Sequence, residues 1–542
     1  MYNMKKFAIF NATQQQLKKQ ISKSNSTHHH IPSPFLFLQR RHFSNPNILA
    51  SNEIDTPEEG AEKIKLSNSL KGKSQKLPTL DIPLDGIPEL VPASNLDAPK
   101  TNITTLENGL RVVTEETYGQ CSTIGFLITA GSRFETPGHN DGVSHVLEQL
   151  AFKSTEKRTH AEIVREIEDL GIHPSLVVGR EEFLYQMDVM RENVEDTLEL
   201  LSDVVQNPVF DEEEMNEAKE ITGLILGEMD MPQFIVHEEL VTTAFGKDTP
   251  IGQPLLCDMN ALPNISSKTV KDFVNGHFCA ENMILGIAGM EHDEAVALAK
   301  KYFSNIPEKS SISNMDEFRK LQTKPSNYKG GLKLINVPDL PYTHVSVAFD
   351  SGHGWHGDDV IPACVLHSLL GGGDSFSAGG PGKGMYSRLY REVLNRYYWV
   401  ESIQGISIFN SDCGVTGIMG SCEPSYINNL LACMCYQIKN LVKEPVSEIE
   451  LTRARNRLKS TIMMSLESRQ LLCEDLVRQV ATYGKRESAD EMCAKIDKVT
   501  EEDLMRVARN AIASPPTVVV YGETSNIPAN VLELVEKTVR SD

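Results

Sequence analysis

Near the middle of the chain, Gly331-Leu332-Lys333 repeats Gly109-Leu110-Arg111 at an offset of 222 residues, and the likeness continues on both sides. The alternating apolar stretch at Thr123 to Thr129, with Ile124, Phe126 and Ile128 on one face, is echoed by Thr343 to Phe349. Each stretch runs into a tight turn, Gly131-Ser132 in one half and Ser351-Gly352 in the other. Towards the end of each half a helical pattern feeds a short apolar strand. These are Lys268 to Phe278 with Met283 to Ala288, and Glu502 to Ala511 with Thr517 to Tyr521. A unit of roughly 200 residues repeated once means two homologous domains, because solenoid repeats are far shorter. The 542 residues agree, being too many for one hydrophobic core. The spacing predicts a first domain over 101–306 and a second over 331–542, joined by the polar segment 307–330.

Strands and amphipathic helices alternate within the first domain. Asn108-Gly109 signals a turn before a strand at Leu110 to Val113, and Gly142 to Phe152 reads as a helix. Thr159-His160-Ala161-Glu162 has the form of a capping box opening a helix that runs through Leu170 and stops at Gly171. Asn193 to Val205 and Glu212 to Met229 carry helical apolar periodicity.

The region before the repeat has a different composition. No Asp or Glu occurs before Glu53, whereas Lys5, Lys6, Lys18, Lys19, Lys23, Arg40 and Arg41 are interspersed with Ser, Asn and Gln. That is the composition of a mitochondrial transit segment, and Arg41-His42-Phe43-Ser44 resembles a matrix cleavage pattern, so residues 1–43 are predicted to be a transit peptide. The absence of an apolar core in this segment argues against secretion. Residues 44–100, with Pro78, Pro83, Pro88, Pro92 and Pro99, read as an extended linker, since such density forbids regular helix and central strand.

Removing residues 1–43 takes away seven basic and no acidic residues, which moves the formal net charge from −21 to −28. That speaks against nucleic acid as a partner, since phosphates require Lys and Arg. It suits a protein that attracts basic ligands at long range, and equally one that uses acidity only for solubility. The ten Cys form no CxxC pair and suggest neither a disulfide framework nor a zinc finger. No apolar run approaches the ~18 residues of a membrane helix, so a membrane link would have to come through partners.

His145-Val146-Leu147-Glu148-Gln149 is nearly a zinc-peptidase site. In the inverted zincin pattern His-x-x-Glu-His, residues at i, i+3 and i+4 share one helical face, the two imidazoles bind zinc and the carboxylate acts as general base. Here Gln149 occupies the place of the second imidazole. Zinc sites use thiolate, imidazole or carboxylate, and an amide is a poor substitute. The chain therefore carries the frame of a metallopeptidase site with one ligand deleted, which predicts no bound metal and no cofactor of its own, and a role beside a cutting subunit. At the repeat offset of 222, His145 falls on His367, which is followed by Ser368, Leu369, Leu370 and Gly371 and reads as a core histidine.

The second unusual segment is Gly371-Gly372-Gly373-Asp374-Ser375-Phe376-Ser377-Ala378-Gly379-Gly380-Pro381-Gly382-Lys383-Gly384-Met385. Ordering glycine costs the most backbone entropy, so the segment is predicted to be a mobile loop without a packed element. It is not a P-loop, which would need Gly at Ser377 and a hydroxyl at Gly384. Its free backbone donors and acceptors could touch an extended peptide without demanding one sequence, or it could be a spacer.

This loop, with Ser387-Arg388-Leu389-Tyr390 and Val393-Leu394-Asn395-Arg396 after it, resembles the glycine-rich region of the alpha subunits of mitochondrial processing peptidase, in the pitrilysin-type M16 family. So do Leu150-Ala151-Phe152-Lys153-Ser154-Thr155 and Ser465-Leu466-Glu467-Ser468-Arg469, and the similarity covers roughly Asn102 to the C-terminus. The resemblance implies an α/β (α+β) fold of two homologous domains, each a mostly antiparallel sheet covered by helices. It implies a noncatalytic chain paired with a beta subunit that keeps the complete zinc site, the two enclosing an acidic cavity in the mitochondrial matrix. Basic presequences would be engaged by the loop, matched here by Gly371, Gly372, Gly373, Asp374, Ser375, Phe376, Ser377, Gly379, Gly380, Gly382, Lys383 and Gly384. Asp374 departs from the glycine expected there. His145 matches the first zinc ligand, Glu148 the general base and Glu228 the distal carboxylate ligand, while Gln149 replaces the second ligand; the survivors are expected to form a buried, hydrogen-bonded remnant. Similar subunits also serve as core protein 2 of the cytochrome bc1 complex, on the matrix side of the inner membrane, and that structural role is the alternative.

Overall fold

The computed structural model describes residues 99–541 apart from 230, 311 and 376–383. The predicted transit peptide and almost all of the proline-rich linker lie outside the described residues.

Two six-stranded sheets carry the chain. The first is built from β1 (Thr101–Thr105), β2 (Arg111–Glu115), β3 (Cys121–Ile128), β4 (His173–Val178), β5 (Phe183–Met190) and β6 (Met283–Ala288), in the order β1-β2-β6-β3-β5-β4. The second contains β7 (Gly331–Asn336), β8 (Thr343–Asp350), β9 (Gly372–Asp374), β10 (Val400–Phe409), β11 (Gly414–Cys422) and β12 (Thr517–Gly522), in the order β7-β12-β8-β11-β10-β9. One pair in each sheet is parallel, β2 with β6 and β7 with β12, and the remaining pairs are antiparallel. Strand β8 lies 222 residues after β3 at both ends. Five strands thus correspond between the halves, and only the edges differ: β1 is added to the first sheet and β9 to the second.

The helices predicted in the first half form close to where the pattern puts them. Thr159 and Glu162 make the reciprocal capping box that opens His160–Asp169, and Gly171 follows at φ +67°. Val194–Gln206 and Glu212–Gly227 are the next two. The segment 307–330 is more than a polar connection, because it contains the helix Met315–Gln322.

Both faces of each sheet are covered, and one cover comes from the opposite half. The helix Arg469–Tyr483 lies on the first sheet, where Leu472, Cys473, Leu476, Val477 and Val480 bury Val113, Leu127, Leu184, Ile284 and Ala288. A β-carbon on Gly125 would fall 2.9 Å from the Cys473 sulfur, and one on Gly286 would collide with Val477, so both positions need glycine for this close approach. Reciprocally, Pro232–Phe245 puts Val236, Leu240, Val241, Ala244 and Phe245 against Ala348, Val415, Met419 and Val519 of the second sheet. Each exchanged helix buries five such side chains, on the order of 10 kcal/mol of apolar burial at ~1.5–3 kcal/mol for a large one. Continuous coverage of both faces also explains why β3 is buried along nearly its whole length.

A fully buried arginine fastens the halves together. Arg133 pairs with Glu181 and with Asp412 of the second half, both at 2.6 Å, and donates to the carbonyls of Gln322 (2.7 Å) and Lys324 (3.3 Å) in the connecting segment. A buried cation is tolerable only when so many acceptors surround it.

Candidate functional site: a closed zinc frame and a glycine-rich loop root

The helix carrying the degenerate motif is Val143–Leu150, beginning after Gly142 at φ +82°. A β-carbon on Gly142 would clash with Cys257, including its Cα at 2.8 Å. No N-cap side chain closes this helix; a carboxylate from outside does so. The buried Glu135 accepts the amides of Gly142 at 2.7 Å and Ser144 at 2.9 Å. An anion at a helix N-terminus is favoured by the exposed amides and the dipole. Burial nevertheless dominates and pushes the Glu135 carboxyl up to about 7, the two amides holding it back.

His145 is buried, and its Nδ1 accepts the backbone amide of Cys257 at 3.2 Å. An imidazole whose Nδ1 accepts must carry its proton on Nε2, so neither ring nitrogen offers a lone pair to a metal. A zinc-bound histidine has the opposite arrangement, donating its spare N–H to a carbonyl or carboxylate. Glu148 and Gln149 follow on the same helix, both half-buried. Glu228 does not join a buried remnant as expected from the family pattern. It is the first residue past the helix Glu212–Gly227 and is exposed, as are Leu224 and Gly227 one turn before it and beside it, so it lies on an outward face. Among the described residues no three His, Cys, Asp or Glu side chains gather as a metal site. One imidazole with its proton on the wrong nitrogen, one amide and one exposed carboxylate do not fit zinc. Glu135 and Cys257, which determine this state, carry no motif and were not legible in the sequence.

The family-like stretch after the helix is structural. Ser154 donates from both its amide and its hydroxyl to Glu214, and Thr155 Oγ1 donates to the buried Asp203 at 2.7 Å. Ser468 caps the exchanged helix by accepting the Leu471 amide.

In the second half, His367 lies on Val360–Leu370 as a largely enclosed histidine; its Nδ1 is buried with no hydrogen-bond partner, and burial lowers its pKa to about 4. The glycine-rich loop begins differently from expectation. Gly372–Asp374 form β9, an edge strand paired with Ser402, Ile403 and Gln404 of β10. A β-carbon on Gly372 would strike the backbone of Ile403 and Gln404, so the absence of a side chain, which argued against an ordered element, is what admits this pairing. Ser375 continues it, its amide donating to Glu401 O at 2.6 Å and its hydroxyl to the Glu401 carboxylate at 2.8 Å. Phe376, Ser377, Gly379, Gly380, Gly382 and Lys383 lie outside the described residues, and the chain is described again from Gly384.

Comparison with known proteins agrees with this architecture. Residues 111–259 match the family described as Insulinase (Peptidase family M16), and residues 264–458 match the Peptidase M16 inactive domain. The chain is 34% identical over 461 residues to the Probable mitochondrial-processing peptidase subunit alpha-1 of Arabidopsis thaliana, covering 84% of this chain and 89% of that protein. It is 31% identical over 468 residues to the mitochondrial-processing peptidase subunit alpha of Homo sapiens, covering 83% and 87%. A chain in the solved structure of Complex III2 from Candida albicans with Inz-5 bound shares the fold, with a TM-score of 0.69 at 19% identity, over 81% of this chain and 99% of that one. Two M16 matches in tandem, and a third of the residues shared over most of the length, establish that this chain belongs to peptidase family M16, among the mitochondrial-processing peptidase alpha subunits.

Proposed function

We propose that the chain is the noncatalytic, presequence-recognising alpha subunit of a mitochondrial matrix processing peptidase, which presents basic N-terminal segments to a beta-type subunit bearing the complete zinc motif. The observation that carries this reading is the closed frame at His145: an amide at Gln149, a histidine Nδ1 engaged by Cys257, and Glu228 turned out to solvent. The net charge of −28 after residue 43 supports a basic ligand, and the glycine-rich loop supplies backbone groups for an extended one.

Two measurements test the reading. Purified alone, the chain is expected to bind no stoichiometric zinc and to cleave no presequence; cleavage that disappears on metal depletion and returns with zinc would overturn it. A native pull-down with mass spectrometry is expected to recover a chain with an intact His-x-x-Glu-His. The fold shared with a Complex III2 chain keeps the structural core role as the second reading, which cytochromes in the same pull-down would support.

A further inference from the structure

The connecting helix Met315–Gln322 is held to the first half by an arginine that pairs with no carboxylate among the described residues. Arg319 Nη2 donates to the carbonyl of Thr129, just past β3, at 2.8 Å. Its Nη1 meets His277 Nδ1 at 2.9 Å, and its Cζ lies 4.6 Å from the centre of the Phe134 ring. His277 closes the helix Ser267–His277 and is buried, with the rings of Phe273, Phe134 and Phe318 at 4.6, 5.6 and 6.0 Å. Beside it, the Met315 methyl group packs on Gly276.

A guanidinium is always charged and only donates, so His277 Nδ1 accepts this bond and the imidazole is neutral. Burial first, and then the Arg319 charge, push His277 down to about 3. The other titratable groups facing the contact are Asp316 on the connecting helix, with Cys279 and Glu281 in the turn after His277, and all three favour the charge on Arg319.

The same segment supplies acceptors to the junction between the halves. The carbonyls of Gln322 and Lys324 hold Arg133, and the Ser326 amide donates to Asp412 at 3.1 Å. Gln322 is the last residue of the helix that Arg319 anchors. When the anchor lets go, Arg133 loses two of the acceptors that make its burial tolerable.

We propose that Arg319 and His277 form a proton-sensitive strap: with His277 neutral the connecting helix is docked and the Arg133 junction is complete, and a proton on His277 expels Arg319, frees the helix and loosens the junction. The closed strap keeps His277 neutral down to about 3, whereas the open one returns it to its ordinary 6.5. Opening therefore takes up a proton within that window. The ratio of open to closed strap rises about tenfold for each pH unit below 6.5 and is flat above it.

The test is hydrogen exchange of the full chain, read by mass spectrometry from about pH 8 to pH 5, with rates divided by the intrinsic rate at each pH. Protection of the amides in 315–323 is expected to hold from pH 8 to 7 and to fall about tenfold between pH 6 and 5, while that of β3 stays level. His277→Gln keeps an acceptor for Arg319 and takes no proton, so its connecting helix should hold the pH 8 protection throughout. Arg319→Ala should lose about tenfold of that protection at pH 8, because the anchoring bonds are gone. Parent protection that ignores pH, a fall that H277Q shares, or an R319A helix as protected as the parent's would each overturn the proposal. If H277Q does not fold, R319A decides alone: it must lose both the protection at pH 8 and the pH dependence, and retention of either sinks the strap.

Discussion

The helix Val143–Leu150 of the first half and the root of the glycine-rich loop beside Val360–Leu370 of the second treat their titratable groups in opposite ways. In the first, a buried carboxylate holds the helix start and a backbone amide occupies the histidine, so the zinc frame has become a structural joint. In the second, His367 Nδ1 and Arg457 Nη1 are buried without partners. Buried donors and acceptors are normally satisfied, and exceptions need an explanation. Ser144 Oγ on Val143–Leu150 is likewise buried without a partner, so the regions differ in their titratable groups: Glu135 and His145 are engaged, whereas His367 Nδ1 and Arg457 Nη1 are not.

The comparison holds inside one folded unit, and separating the halves gives the largest expected effect. Residues 101–306 and 331–542 expressed apart should each lose cooperative unfolding in calorimetry, because each sheet then exposes the face covered by the other half's helix. Next, Glu135→Ala leaves the buried Gly142 and Ser144 amides without acceptors and should destabilise by about 2–4 kcal/mol in denaturant titration, whereas His367→Leu at pH 8 should stay within about 1 kcal/mol of the parent, since no hydrogen bond of Nδ1 is lost.

The pH dependence of stability separates the two regions by sign. Glu135 is raised from 4.5 to about 7, so the native state holds the extra proton and its contribution to stability falls as pH climbs through that window. His367 is lowered from 6.5 to about 4, so the unfolded state holds the extra proton and its contribution rises as pH climbs from about 4 to 6.5. Each is worth on the order of 3 kcal/mol across its window. Stability-against-pH curves should therefore differ from the parent in opposite directions for Glu135→Gln, which removes the falling part, and His367→Leu, which removes the rising part. Two variants with parallel curves would erase the distinction between the regions. The smallest effect is expected from Gln149→His. Restoring the imidazole leaves His145 protonated on Nε2 and Glu228 in solvent, so zinc measured by elemental analysis should remain substoichiometric.

Much of the architecture was legible in the sequence because it depends on local or repeated patterns. The offset of 222 residues located β8 from β3, Thr159 and Glu162 announced a capping box, and an amide at Gln149 disqualified a zinc ligand by its chemistry alone. The rest depends on residues brought together from far apart. The glycines of β9 argued for disorder until β10 stood close enough to need them; Glu228 matched a ligand position but lies with Leu224 and Gly227 on an exposed face; the state of His145 was decided by Cys257, 112 residues away. The exchange of helices between halves has no local signature, since an apolar helical stripe does not say which sheet it will cover. Residue types and their spacing determined that this chain has two like halves and an incomplete metal frame. Three-dimensional packing alone decided which of its buried polar groups find hydrogen-bond partners.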